Sequence, residues 1–233
     1  MGVIGIIGAM EVEVADLKKV MENTSIIKRA GMEFCHGTLC GKEAVVVQCG
    51  IGKVNAAICT QVLADLFEVE CVINTGVAGS LNAQINIEDI VISTDALQHD
   101  MDVTMLGYPK GQIPGIDVLA FEADQKLADL AEKVCKEVNP QIGTFRGRVV
   151  SGDQFVAAKE TKEELIRLYD GSCTEMEGAA IAQTAYLNGI PFLILRAISD
   201  KADDSAHMNY PEFEREAARH CVNLVMGMLK ELA

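Results

Sequence analysis

The sequence predicts an α/β fold: a three-layer α/β/α arrangement around a central mixed, twisted sheet. Short Val/Ile-rich runs alternate with longer segments of helical period, the pattern of strands laid between covering helices. Runs such as "EAVVVQCG", "CVINTG" and "PFLILRAIS" are apolar almost without interruption, as strands buried on both faces are. The stretch "SIIKRAGMEFCHGTLCGKEAVVV" spaces its glycine-punctuated β runs too closely for a helical crossover. Part of the sheet should therefore be an antiparallel meander.

Taken in order, residues 3–9 read as a buried strand and a glycine turn, and residues 11–22 as the helix that follows. On that helix Glu13, Leu17 and Val20 share an apolar face at i, i+4, i+7, while Glu11, Ala15 and Lys18 share a solvated one. The meander ends in a strand at 44–49, and "GIGKVNAA" opens a helix over 53–67. Strands follow at 71–75 and 89–94. Residues 99–117, "HDMDVTMLGYPKGQIPGID", hold neither period and carry several glycines and prolines; a long structureless loop inside a compact domain is usually functional or mobile. Helices are predicted over 123–138, 158–169, 177–188 and 211–232, with strands at 147–151 and 191–199. A short run ahead of a small-residue helix reads "CTEMEGAAIAQ". With no linker, repeat or low-complexity tract, residues 1–233 read as one domain.

Composition narrows the function. A chain of 233 residues buries about three quarters of its unfolded surface and needs neither disulfide nor metal for stability. The formal net charge of −14 and the lack of a basic run argue against nucleic acid and other polyanions as partners. A neutral, zwitterionic or cationic small molecule is tolerated. The start "MGVIGIIGAM" has no basic n-region, and its apolar run falls far short of the ~20 residues of a membrane span, so a protein neither exported nor membrane-bound is expected. The eight cysteines lie mostly in apolar contexts with no C-x-x-C pair, as suits a reducing cytoplasm.

In open α/β sheets ligands gather at the C-terminal ends of strands. There the chain places "GAMEVE", "CGIGKVN", "NTGVAGS", "SGDQF" and "LRAISD". Helical phase makes Glu13 the buried acid and Glu11 a surface acid favoured by the helix dipole. Glu177 begins a helix of small residues, so its carboxylate should sit at the rim of the crevice, while Glu175, one step out of phase in an extended run, should face away. Asp200 closes an apolar strand, where it could equally cap a turn. Arg196, inside "FLILRAIS", needs a carboxylate partner, and Glu13 and Glu177 are the candidates. "GIIGAM" lacks the full dinucleotide fingerprint, and "GIGKVNAA" lacks the spacing of a phosphate loop.

The motifs "IGIIGAMEVEV", "GIGKVNAA", "INTGVAGS", "HDMDVT", "SGDQF", "EMEGAAIA" and "LRAISDKAD" occur in this order along nearly the whole chain. Together they closely resemble the 5′-methylthioadenosine/S-adenosylhomocysteine nucleosidases of the purine nucleoside phosphorylase superfamily. The resemblance implies a nucleoside phosphorylase-like fold and hydrolysis of the bond between adenine and a 5′-thio-substituted ribose, with no metal or organic cofactor. It makes Asp200 the acid that protonates adenine N7, held by Ser199, and Glu13 the base that activates water. Glu177, assisted by the backbone near Met176, would bind the ribose hydroxyls. Phe155 would stack on the base, Val156 bind its edge through main-chain atoms, and Gly79 lie in the pocket. Arg196 would position water and the acids. Met10, Ile51, Val103, Leu106, Pro114 and Tyr210 would surround the thio substituent, with the 103–114 loop reaching the neighbouring site of a homodimer and residues 201–213 closing as a lid. Val77 stands where many members carry serine, and Leu106 where many carry phenylalanine. Phosphate-dependent phosphorolysis and aminofutalosine hydrolysis remain alternatives on the same fold.

Overall fold

The computed structural model describes residues 2–202 and 206–232, with 206–212 as backbone only. In chain order it comprises β1 (Ile4–Gly8), α1 (Glu11–Lys19), β2 (Glu22–Arg29), β3 (Met32–Leu39), β4 (Lys42–Gln48), α2 (Lys53–Phe67), β5 (Cys71–Ser80) and β6 (Ile90–Gln98). There follow β7 (Phe121–Glu122), α3 (Gln125–Val138), β8 (Thr144–Ser151), α4 (Lys159–Tyr169), β9 (Cys173–Glu175), α5 (Gly178–Asn188), β10 (Phe192–Asp200) and α6 (Ala206–Glu231). Within residues 99–117 the only regular element is a single 3₁₀ turn, Thr104–Leu106.

The ten strands form one mixed sheet. β1 pairs in parallel with β4 on one side and β5 on the other, and β4, β3 and β2 form the expected antiparallel meander. Beyond β5 the sheet closes on itself. β10 runs parallel to β5 and antiparallel to β6, β6 is parallel to β8, β8 is parallel to β9, and β9 returns antiparallel to the end of β5. Apolar residues of α1, α3 and α6 pack on one face and those of α2 and α5 on the other, which gives the three layers. α4 contributes Leu165 and Tyr169 to a smaller third cluster with Leu81, Val150 and Val156.

Departures from the predicted elements have local causes. α1 stops at Lys19 rather than residue 22, and the chain turns into β2, an edge strand exposed along most of its length; with both faces wet, β2 shows no apolar alternation to read. β5 continues five residues past the predicted end, through "GVAGS". That stretch reads as a turn by composition but is held as strand by the register Gly76↔Arg196 and Gly79↔Asp200 with β10. α6 begins at Ala206, five residues upstream of Pro211.

Candidate active site

The parallel strands β1, β5 and β10 point their C-terminal ends to one side, where the β9–α5 junction joins them. There lies a cavity of about 370 Å³, bordered by Ala9, Met10, Glu13, Ile51, Val77, Ala78, Gly79, Phe155, Thr174, Glu175, Met176, Glu177, Ser199 and Asp200. Glu13, Glu177 and Asp200 thus share one cavity, and all three are buried.

Helical phase places Glu13 as expected. It is 4% exposed, while Glu11 stands in solvent and accepts from Lys18 Nζ at 3.2 Å. The Glu13 carboxylate turns back over the start of its own helix. Oε2 accepts from the N–H groups of Ala9 (2.7 Å) and Met10 (3.0 Å), and Oε1 accepts from Val77 N–H (3.1 Å). The donors that would hold a phosphate at a helix N-terminus are therefore taken by a side chain of the helix itself. Burial holds the Glu13 carboxyl above its ordinary value, against the opposing charge of Arg196 and the three N–H donors.

The approach of β5 depends on glycine. A Cβ on Gly76 would lie 2.5 Å from Glu13 Oε1 and 2.7 Å from an Arg196 guanidinium nitrogen. One on Gly79 would lie 2.8 Å from Asp200 Oδ1. At the end of β10, Asp200 Oδ2 accepts from Ser199 Oγ (2.9 Å) and Oδ1 from Ala202 N–H (2.7 Å), which fixes the carboxyl in orientation.

Glu177 caps α5, and its Oε1 accepts from Gly52 N–H at 2.8 Å; Gly52 is itself the residue before α2, with φ +99°. The "GIGK" turn thus positions a carboxylate rather than a phosphate. Burial, reinforced by the negative charge of Glu175, pushes the Glu177 carboxyl up to about 8.

The partner of Arg196 differs from the expected one. Arg196 is fully inside the protein and pairs with Glu175, through Nε at 3.2 Å and through a shorter Nη2 contact, and it also reaches Asn74 Oδ1. Neither Glu13 nor Glu177 pairs with it directly, although both lie in its field. Nor does Glu175 face away from the site. Both acids of "EME" border the cavity, but Glu175 is engaged by Arg196, Ser151 Oγ and the N–H groups of Glu177 and Gly178. Burial works against its charge, yet Arg196 and these donors hold its pKa below the ordinary value. The phase argument separated neighbours along β9 but could not show that Ser151 on β8 and Arg196 on β10 converge from elsewhere in the sheet.

Met10, Ile51, Val77, Gly79, Phe155, Met176, Glu177 and Ser199 all border the cavity, and buried Val156 lines a small adjoining pocket with Phe155, Thr174 and Asp200. Arg196 sits behind the wall. Val103, Leu106 and Pro114 do not line the cavity of their own chain, and Leu106 is 72% exposed. The Tyr210 side chain, with most of the 201–213 segment, lies outside the described residues. Sequence reasoning missed Ala9, Ala78 and Thr174, which carry no charge to mark them. It also missed Lys53, whose Nζ donates to Gln98 Oε1 (2.9 Å) and Asp100 Oδ1 (2.6 Å) while its N–H donates to Asp153 Oδ1 (2.8 Å). Lys53 so ties the "GIGK", "HDMD" and "SGDQF" segments together.

The raised Glu177 carboxyl makes a stability prediction. Folded, the group keeps its proton up to about pH 8; unfolded, it releases it near 4.5. The folded state then binds more protons between these values, so this group's contribution to stability falls as pH rises across that window. Glu177→Gln should remove the dependence. The wild-type-minus-variant difference in unfolding free energy, from urea denaturation at about pH 5 to about pH 9, should decline through the window. A difference independent of pH would reject a perturbed Glu177.

Comparison with known proteins agrees with this geometry. A family model described as the phosphorylase superfamily matches residues 3–230. A 5′-methylthioadenosine/S-adenosylhomocysteine nucleosidase of Bacillus pumilus is 41% identical over 232 residues, covering 98% of each chain. The crystal structure of the nucleosidase of that name from Neisseria meningitidis, in complex with methylthio-immucillin-A, superposes with a TM-score of 0.96 at 37% identity over 100% of both chains. A futalosine hydrolase of Helicobacter pylori superposes with a TM-score of 0.94 at 34% identity, over 99% of this chain and 98% of that one. The chain belongs to the phosphorylase superfamily and, within it, to the 5′-methylthioadenosine/S-adenosylhomocysteine nucleosidases.

Proposed function

We propose that this protein hydrolyses the N-glycosidic bond of 5′-methylthioadenosine and S-adenosylhomocysteine, releasing adenine and the 5′-thio-substituted ribose. The observation that carries the reading is the meeting of Glu13, Glu177 and Asp200 at one cavity. Adenine leaves poorly as an anion and well once protonated, so Asp200 delivers a proton to N7 as the C1′–N9 bond breaks and its electron pair passes to the base. The ribosyl fragment becomes positive, as in other glycoside hydrolyses. Glu13, whose carboxyl burial holds above its ordinary value, gains a favourable partner as that charge develops. Glu13 takes a proton from water as its oxygen bonds C1′; its raised pKa makes it a better base near neutral pH. Glu177 holds the ribose hydroxyls, Phe155 and Val156 the base, and Met10 and Ile51 the thio substituent.

Phosphorolysis needs cations to hold the attacking phosphate. No lysine, arginine or histidine borders the cavity among the described residues, and the nearby Arg196 is committed to Glu175. The decisive assay measures adenine release from methylthioadenosine, adenosylhomocysteine, deoxyadenosine and aminofutalosine in phosphate-free buffer. Release of adenine with free thioribose from the first two is expected. A requirement for phosphate, with ribose 1-phosphate as product, would reject hydrolysis; turnover of aminofutalosine alone would shift the reading to the futalosine branch.

The reading extends to a homodimer in which Val103, Leu106 and Pro114 complete the neighbour's site. Exposed Ile51 at the cavity, exposed Val54 and Ile58 on α2, and exposed Met105 and Leu106 on the loop support it, because apolar surface of this kind is normally covered. It also implies a cytoplasmic enzyme of methionine salvage. Eight free cysteines favour a reducing compartment, and among the described residues no helix is long and apolar enough to cross a membrane.

A further inference from the structure

Strand β9 is three residues long, and its middle residue has no part in the chemistry described so far. Cys173 packs into the core beneath α2 and α5 and Glu175 meets Arg196. Thr174, between them, borders the same cavity as Glu175. Its cross-strand neighbours place it more closely. Thr174 lies opposite Gly79 on β5 and Val150 on β8. A Cβ on Gly79 would meet Asp200 Oδ1 and Ala202, and Val150 packs with Val156 and Ala202. Thr174 thus borders the cavity and, with Phe155, Val156, Met176 and Asp200, a small pocket adjoining it.

Thr174 is 5% exposed, and its hydroxyl has no hydrogen-bond partner among the described residues. The other buried side-chain polar atoms in that condition belong to Thr75, His99, Arg146 and His220, none of which borders the cavity. A buried hydroxyl without a partner is costly, and valine would fill the same volume without that cost. A ligand that supplies the missing hydrogen bond removes the penalty on binding.

We propose that Thr174 is a specificity-determining residue of this site, its hydroxyl pairing with the exocyclic amino group of the bound purine. The inference rests on the adenine-nucleoside reading given above. With Asp200 at N7, the next polar group along the same edge of adenine is the 6-amino group. A threonine hydroxyl can accept one of its N–H bonds, since it carries two acceptor lone pairs beside its single donor. A base with hydrogen at position 6 offers nothing to pair with and leaves the hydroxyl orphaned.

The test is calorimetric titration of the full-length protein with adenine and with unsubstituted purine, for the wild type, Thr174→Val and Thr174→Ser. Thr174→Val should weaken adenine about 3- to 10-fold, the scale of one net hydrogen bond, and leave purine within about twofold, while Thr174→Ser keeps the wild-type preference. A Thr174→Ala variant repeats the comparison against serine with side chains smaller than the native one, so that crowding by valine does not decide the outcome. Thr174→Val binding adenine as tightly as the wild type, or more tightly, overturns the proposal, since an unused hydroxyl only opposes an apolar ligand. That result with a wild type that still hydrolyses methylthioadenosine sinks this inference alone. A wild type that neither binds adenine nor releases it overturns the functional reading as well.

Discussion

Replacing Glu13 by glutamine should lower turnover of methylthioadenosine by at least about a hundredfold, the usual scale for loss of a general base. Glutamine keeps the shape of the side chain but cannot take a proton from water, and it stabilises a developing ribosyl cation less strongly. It also has one acceptor oxygen for three N–H groups, those of Ala9, Met10 and Val77. The variant should therefore lose about 1–3 kcal/mol of stability, the cost of an unpaired buried donor. Circular dichroism and denaturant titration separate this from the kinetic loss. Glu11→Gln is the matched control. It removes a carboxylate two residues away that stands in solvent and accepts from partly buried Lys18, so its turnover should stay near that of the wild type. An active, folded Glu13→Gln protein would remove Glu13 from the mechanism; an inactive, folded Glu11→Gln protein would overturn the assignment by helical phase.

Asp200→Asn should cost a similar factor for a different reason, and the nature of the leaving group tells the two apart. The amide has no proton to give adenine N7, so cleavage must expel an unprotonated base. A riboside whose leaving group departs readily as an anion, such as 4-nitrophenyl riboside, needs no such proton. On that substrate the defect of Asp200→Asn should shrink by at least about tenfold, while that of Glu13→Gln persists, because water must still be activated. Equal defects on both substrates would show that Asp200 matters through the fold, by its bonds from Ser199 and Ala202, rather than as an acid.

Much of this site was legible from local pattern. The positions of Glu11 and Glu13 followed from a 3.6-residue period, and the structure separates them as that period requires, one paired with Lys18 at the surface and one buried. The order of the principal strands and helices was legible for the same reason, as was the meander, whose short spacing permits no other connection. The edge strand β2 was not, because a polar strand in solvent carries no alternation. The continuation of β5 through "GVAGS" was not either, because β10 beside it, not residue preference, holds that segment extended.

The sequence by itself determined the order of the principal elements, which of them carry the acids, and the burial of Glu13 against the exposure of Glu11, since period is a property of neighbouring residues. Only the tertiary structure decided how the buried polar groups pair. Arg196 found Glu175, 21 residues away in the chain, and Asn74, 122 away, and the sheet closed through β10. Thr174 was left bordering the cavity, its hydroxyl without a partner among the described residues. Cross-strand pairing brings together residues far apart in sequence, and local periodicity specifies the face of each strand without naming its neighbour.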